Sequence, residues 1–206
     1  MDKILFTRPD HEIVTSYLHK WTEKLVDKAD ELNRKIFDLE KEKATKENFE
    51  SYIENRPDLI LINGHGNERK ACGHKDQPLL INGENEELTE GKIVYARTCN
   101  SASVLGKSCV ENGAKAFLGY KNRFILLRNT DSTAKPLKDK YASPIMEASN
   151  ETPKNLIKGK DPEKSMEKSR KKSRKKIEEV LTDYQIGSDK IIGAIRHNME
   201  SQVVID

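Results

Sequence analysis

Cysteine is scarce in this chain: three residues, Cys72, Cys99 and Cys109, in 206. A small, odd number argues against a disulfide framework and for a reducing compartment. Long apolar runs are missing too, and nothing approaches the roughly 20 apolar residues that cross a bilayer. The first stretch, Met1 to Pro9, has a short apolar patch and no small-residue cleavage site. No secretory signal is read there, and the expected setting is cytoplasmic, away from a membrane. Internal repeats are absent as well. What remains is a length that suits one domain, 1–206, able to bury about 70% of its unfolded surface and so to enclose a site without metal or disulfide staples.

Charge is present in quantity, 37 Lys and Arg against 34 Asp and Glu, and the net +3 hides its distribution. Residues 154–176 hold nine Lys and two Arg against Asp161, Glu163 and Glu167, a net +8, which leaves −5 for the rest of the chain. Within that insert KSRKKSRKK, 168–176, has no apolar side chain. It is expected to be an exposed insert or linker, solvated or bound to something acidic.

Elsewhere short apolar runs alternate with amphipathic stretches. Ile4–Phe6, Leu59–Ile62, Ile93–Ala96, Ala116–Tyr120, Phe124–Leu127 and Val203–Ile205 read as strands. Ile13, Tyr17, Leu18, Trp21, Leu25, Leu32, Ile36 and Leu39 follow helical spacing, and shorter helices are expected near Asn48–Asn55, Ser101–Asn112 and Lys190–Met199. Strand and helix in alternation predict a three-layer α/β/α sandwich around a mainly parallel sheet.

In such sheets the chemistry gathers beyond the carboxyl ends of the strands. Two of those ends are loaded: Leu59–Ile62 runs into Asn63-Gly64-His65-Gly66-Asn67, and Ile93–Ala96 into Arg97-Thr98-Cys99-Asn100-Ser101. If the strands are neighbours, His65 and Cys99 emerge side by side. A thiol beside an imidazole is the minimal nucleophile and base pair. The expected helix from Ser101 would favour a Cys99 thiolate through its N-terminus. The glycines around His65 allow a sharp turn and leave the Gly66 N–H open to a substrate oxyanion.

"LILINGHGN", then "IVYARTCNSAS" and "GAKAFLGY", resemble the caspase-like (clan CD) cysteine peptidases, most of all the gingipain and CHAT-domain branches. The resemblance covers 59–120 on motifs. It implies a caspase-like fold, with Cys99 as nucleophile, His65 as general acid/base and the Gly66 and Cys99 N–H groups as oxyanion hole. It also implies a protein or peptide substrate, no cofactor, no metal, and control by a regulatory partner or by processing. Two positions compete for the side chain before the scissile bond. Arg97, two before the nucleophile, would select an acidic P1 residue. Asp131, in "LLRNTDS", would select Lys or Arg, and the sequence reading leans that way. Asn67 joins them as a substrate-binding candidate. Cleavage within the basic insert, by the enzyme itself, is one use for that segment.

Other classes compete. His65, Cys72, His74 and Cys99 are zinc-capable side chains whose spacing matches no common metal motif. A caspase-like module without catalysis, or a nucleic-acid-binding protein working through the basic segment, is the non-enzymatic alternative, with nucleic acid not the expected partner.

Overall fold

The computed structural model describes residues 2–132 and 134–206, with the side chain of Asp131 outside that description. The first strand, β1 (Lys3–Arg8), is buried from Ile4 onward, and the chain turns into α1 (Ile13–Glu31). Tyr17, Leu18, Trp21, Leu25 and Ala29 fill the buried face of α1 at helical spacing. The helix does not continue to Leu39, as the spacing predicts. Asn33 takes a left-handed conformation, φ 53°, and Lys35–Glu40 forms β2, parallel to β1. Phe37 and Leu39 belong to the core on one face of the sheet and Ile36 to the other, so the period there is two.

Next comes α2 (Lys46–Ile53), capped by Thr45, whose hydroxyl accepts from the Asn48 N–H at 3.3 Å. β3 (Leu59–Asn63) is buried along its whole length, as a parallel strand covered on both faces must be. A hairpin that the sequence reading did not anticipate, β4 (Lys70–Cys72) and β5 (Pro78–Ile81), forms a separate two-stranded sheet. The chain then passes through β6 (Ile93–Arg97), α3 (Leu105–Glu111) and β7 (Ala116–Tyr120). It ends with α4 (Ala142–Ile157), α5 (Pro162–Thr182), α6 (Ser188–Ser201) and β8 (Gln202–Ile205).

The main sheet has the order β2-β1-β3-β6-β7-β8, parallel except for β8, which runs antiparallel to β7. Leu5, Ile60, Ile62, Val94 and Phe117 pack with Phe49 of α2 and Leu105 and Cys109 of α3. Ile4, Phe6, Leu59, Leu61 and Leu118 pack with Leu25 of α1 and Leu156 of α4. Both faces are thus covered, an α/β arrangement compatible with a three-layer sandwich. Each fully buried Leu or Ile contributes about 1.5–3 kcal/mol.

One further expectation needs correction. Among the described residues Phe124–Leu127 forms no strand, and the Asn198 amide of α6 takes the backbone groups of Ile125. The Ile125 N–H donates to Asn198 Oδ1 and the Asn198 Nδ2 donates to the Ile125 carbonyl, both at 2.8 Å. The basic segment, expected as an exposed insert or linker, is mostly helical. Most of it lies in α5, which buries Ser165, Ser169 and Ser173 at intervals of four, with the Ser169 hydroxyl donating to the Ala148 carbonyl of α4 at 3.1 Å. The serines share this packed face with Met166, Ile177 and Val180, and are small enough to let the helix seat closely. Among the described residues no helix is long and apolar enough to cross a membrane.

Candidate active site at the carboxyl edge of the sheet

β3 and β6 are hydrogen-bonded neighbours, and their register ends with Asn63 opposite Arg97. The Gly64 N–H extends the ladder by reaching the Arg97 carbonyl at 3.4 Å. His65 and Cys99 each follow two residues beyond that last pair, at the same edge. Both glycines around His65 are required by close approach. A Cβ on Gly64 would lie 2.5 Å from the Cys72 carbonyl oxygen, and one on Gly66 2.6 Å from that of Lys70 and 3.0 Å from Thr98 Cβ. The β4 strand holds this turn: the Cys72 N–H donates to the His65 carbonyl and the Asn67 N–H to the Lys70 carbonyl, both at 2.9 Å. Asn67 Oδ1 accepts from the backbone of Arg69 and Lys70 at 2.9 and 3.1 Å, so this substrate-binding candidate closes the turn.

The three thiols differ. Cys109 is fully buried and its thiol is pushed up to about 12, chiefly by burial. Burial also raises Cys72. Cys99 alone is partly exposed. The loop after it is tied to the end of β7, with the Asn100 N–H on the Asn122 carbonyl at 3.1 Å and the Ala102 N–H on that of Tyr120 at 3.2 Å. Asn100 adopts φ 58°, a left-handed conformation that asparagine tolerates. These ties delay the next helix: α3 begins at Leu105, not Ser101, so no helix N-terminus lies directly behind Cys99. Among the described residues neither the Gly66 nor the Cys99 N–H has a hydrogen-bond partner. Two unengaged donors beside a thiol and an imidazole are what an oxyanion requires.

His65 has a partner that the sequence reading missed. Its Nε2 lies 2.7 Å from Glu12 Oε1, at the N-cap of α1. The Thr15 hydroxyl fixes that corner by accepting from the Glu12 N–H at 3.0 Å. His11 precedes α1. Its ring stands edge-on to His65, centroids 6.4 Å apart, and to His74, 5.5 Å. Asp-His-Glu directly after β1 was the available signal, since β1 is the other neighbour of β3. Among the described residues no group of three or more His, Cys, Asp or Glu side chains is arranged to hold a metal ion.

Arg97 is fully buried on the α1/α4 side of the sheet. Its Nη2 donates to Asn150 Oδ1 at 2.6 Å and its Nε to the Tyr95 hydroxyl at 3.3 Å, while the Phe124 ring lies 5.9 Å away. Nη1 has no partner. Burial pushes the neighbouring Tyr120 phenol well above its usual value, so that group supplies no negative charge. Among the described residues the guanidinium pairs with no carboxylate. Asp131, the competing specificity residue, lies in a short 3-10 turn, Thr130–Ser132, and its side chain is outside the described residues.

No family model matches the chain, and no curated protein matches its sequence.

Proposed function

We propose that the chain is a caspase-like cysteine endopeptidase acting on protein or peptide substrates. The observation that carries the reading is the placement of His65 and Cys99, each two residues past the same register pair of adjacent strands, with the Gly66 and Cys99 N–H groups unengaged among the described residues. A Glu12 carboxylate accepting from Nε2–H selects the tautomer in which His65 Nδ1 holds the lone pair. Nδ1 then takes the Cys99 proton as Sγ attacks the scissile carbonyl, and the Gly66 and Cys99 N–H groups receive the oxyanion. Proton return to the leaving amine frees the new N-terminus, and a water deprotonated at Nδ1 hydrolyses the thioester.

Specificity falls to Arg97. Among the described residues this buried guanidinium leaves Nη1 without a partner and pairs with no carboxylate, an arrangement that favours an incoming carboxylate and disfavours a second cation. The favoured P1 residue is therefore Asp or Glu, in place of the Lys or Arg to which the sequence reading leans, and the Phe124 segment has to shift to admit it. Self-processing within the basic insert is disfavoured on two counts, since most of 154–176 lies in helices packed on the body and its KSRKKSRKK run, 168–176, offers no acidic P1 residue.

A peptide library scanned at P1 tests this with wild type, Cys99→Ala and His65→Ala. Cleavage after Asp or Glu is expected, with a loss on the order of 10³-fold or more in either variant. Cleavage after Lys or Arg would transfer specificity away from Arg97. Absence of Cys99-dependent cleavage of any peptide would overturn the enzymatic reading in favour of a catalytically silent binding module; the lack of any hydrogen bond between His65 and Cys99 among the described residues is the observation on that side.

A further inference from the structure

The outward face of α5 is a cationic surface that the peptidase chemistry does not use. Ser165, Ser169 and Ser173 turn one side of the helix to the body, which sends the charges outward. Lys164, Lys168, Lys171 and Lys175 repeat at intervals of four, three and four, so they form one row on the helix, about 16 Å long at 1.5 Å per residue. Lys164, Lys168 and Lys171 have no ion pair among the described residues, and Lys175 only a 3.9 Å approach to Glu179. From Lys168 to Lys176 the helix has seven cations and no acid, with Lys168/Lys172, Arg170/Arg174, Lys171/Lys175 and Lys172/Lys176 stacked at i,i+4. Such like-charge pairs oppose the helix that carries them. An ordered, body-anchored helix that holds this repulsion is suited to a polyanion, in a way that a disordered linker is not. Alongside it, Lys24, Lys154, Lys158 and Lys172 border a groove between α1, α4 and α5, with Glu31, Glu147 and Glu151.

We propose that α5 docks on the phosphate backbone of duplex nucleic acid, without reading its sequence. A row of ammonium groups matches a phosphate row and carries no base-specific geometry. The helix has no aromatic residue on which single-stranded bases could stack. Its outward face has no apolar stripe to enter a bilayer either.

The test is fluorescence anisotropy of the full chain with a labelled 20-base-pair duplex of random sequence, titrated across salt. Expected is a logarithmic affinity that falls linearly with log salt, insensitive to sequence. Replacing Lys164, Lys168, Lys171 and Lys175 by Gln should weaken binding on the order of 100-fold and flatten the slope by about 3 to 4, roughly 0.9 for each phosphate no longer neutralised. Lys41→Gln with Lys43→Gln, outside α5, should change little. Since the four positions are exposed, circular dichroism and the thermal midpoint should be kept, which separates weakened binding from unfolding. No duplex binding at low salt, an unchanged slope in the quadruple variant, tighter binding to the single strand, or binding to phosphatidylserine vesicles with none to duplex would each overturn the proposal.

Discussion

His19 is buried to 1% exposure, and its Nε2 lies 2.9 Å from Arg8 Nη1. Burial first, and the Arg8 charge second, lower its proton affinity below the ordinary 6.5. Arg8 stays charged in spite of burial because Asp38, Glu40 and Glu23 surround it. A neutral His19 accepts the Arg8 N–H; a protonated one would place two cations face to face. The folded state therefore binds this proton more weakly than the unfolded chain does. Its contribution to stability is complete above about pH 6.5 and is lost as pH falls below that value, by at most about 1.4 kcal/mol per pH unit. Urea midpoints at pH 7.5, 6.5 and 5.5 should fall in wild type, and the fall should be shallower in His19→Gln, which keeps an acceptor and cannot charge. Parallel pH curves for the two proteins would show that His19 is not the group responsible. Individual residues were unevenly legible in the sequence. His65 and Cys99 announced themselves because each sits in a short motif directly after an apolar strand. Glu12 did not, because its tie to His65 spans 53 residues and exists only once β1 lies beside β3.

At the scale of elements, the readings failed where two periodicities overlapped or where a side chain replaced a strand. Leu32, Ile36 and Leu39 fit a helix by spacing, but the left-handed Asn33 breaks it and β1 offers a free edge for pairing. Phe124–Leu127 has the composition of a strand, yet a single amide from α6 takes the hydrogen bonds a neighbour would have made. Helix α4 contains Pro153, which cannot donate to the carbonyl four residues back, that of Ser149. The Tyr95 hydroxyl approaches that carbonyl at 3.4 Å, so the defect becomes a tie between helix and sheet. The serine seam of α5 is illegible for a related reason, because serines leave no apolar periodicity in the sequence. It yields a test that sets volume against hydrogen bonding. Ser169→Leu adds apolar surface but overfills the space beside Ala148, and overpacking costs about 1–3 kcal/mol. Ser169→Ala removes one hydrogen bond, about 1 kcal/mol. Chemical denaturation should place Leu below Ala. A Ser169→Leu protein as stable as wild type would mean that α5 seats loosely on α4.

Across the whole molecule, the three cysteines sit at three depths, and their labelling rates should report how the structure opens. Cys99 lies at the carboxyl edge, partly exposed. Cys72, 3% exposed, belongs to the β4–β5 hairpin, which lies outside the main sheet, packs Ala71, Leu79 and Leu80 onto its core and is joined to the β3 loop through the Gly66–Ala71 bridge. Cys109 is fully buried in α3, where Gly106 approaches Phe117 of β7 so closely that an added Cβ would meet Cδ1 at 2.6 Å. A two-stranded unit outside the main sheet opens at lower free energy than a core helix. Under native conditions an alkylating reagent should therefore modify Cys99 first and Cys72 later by opening of the hairpin, with weak dependence on denaturant. Cys109 should react only through global unfolding, with the full denaturant slope. Mass spectrometry of peptides after timed labelling resolves the three. Equal rates for Cys72 and Cys109 at all denaturant concentrations would mean that the hairpin opens only with the sheet. In that case the turn carrying His65 would be as rigid as the core, since its carbonyl is held by the Cys72 N–H at 2.9 Å.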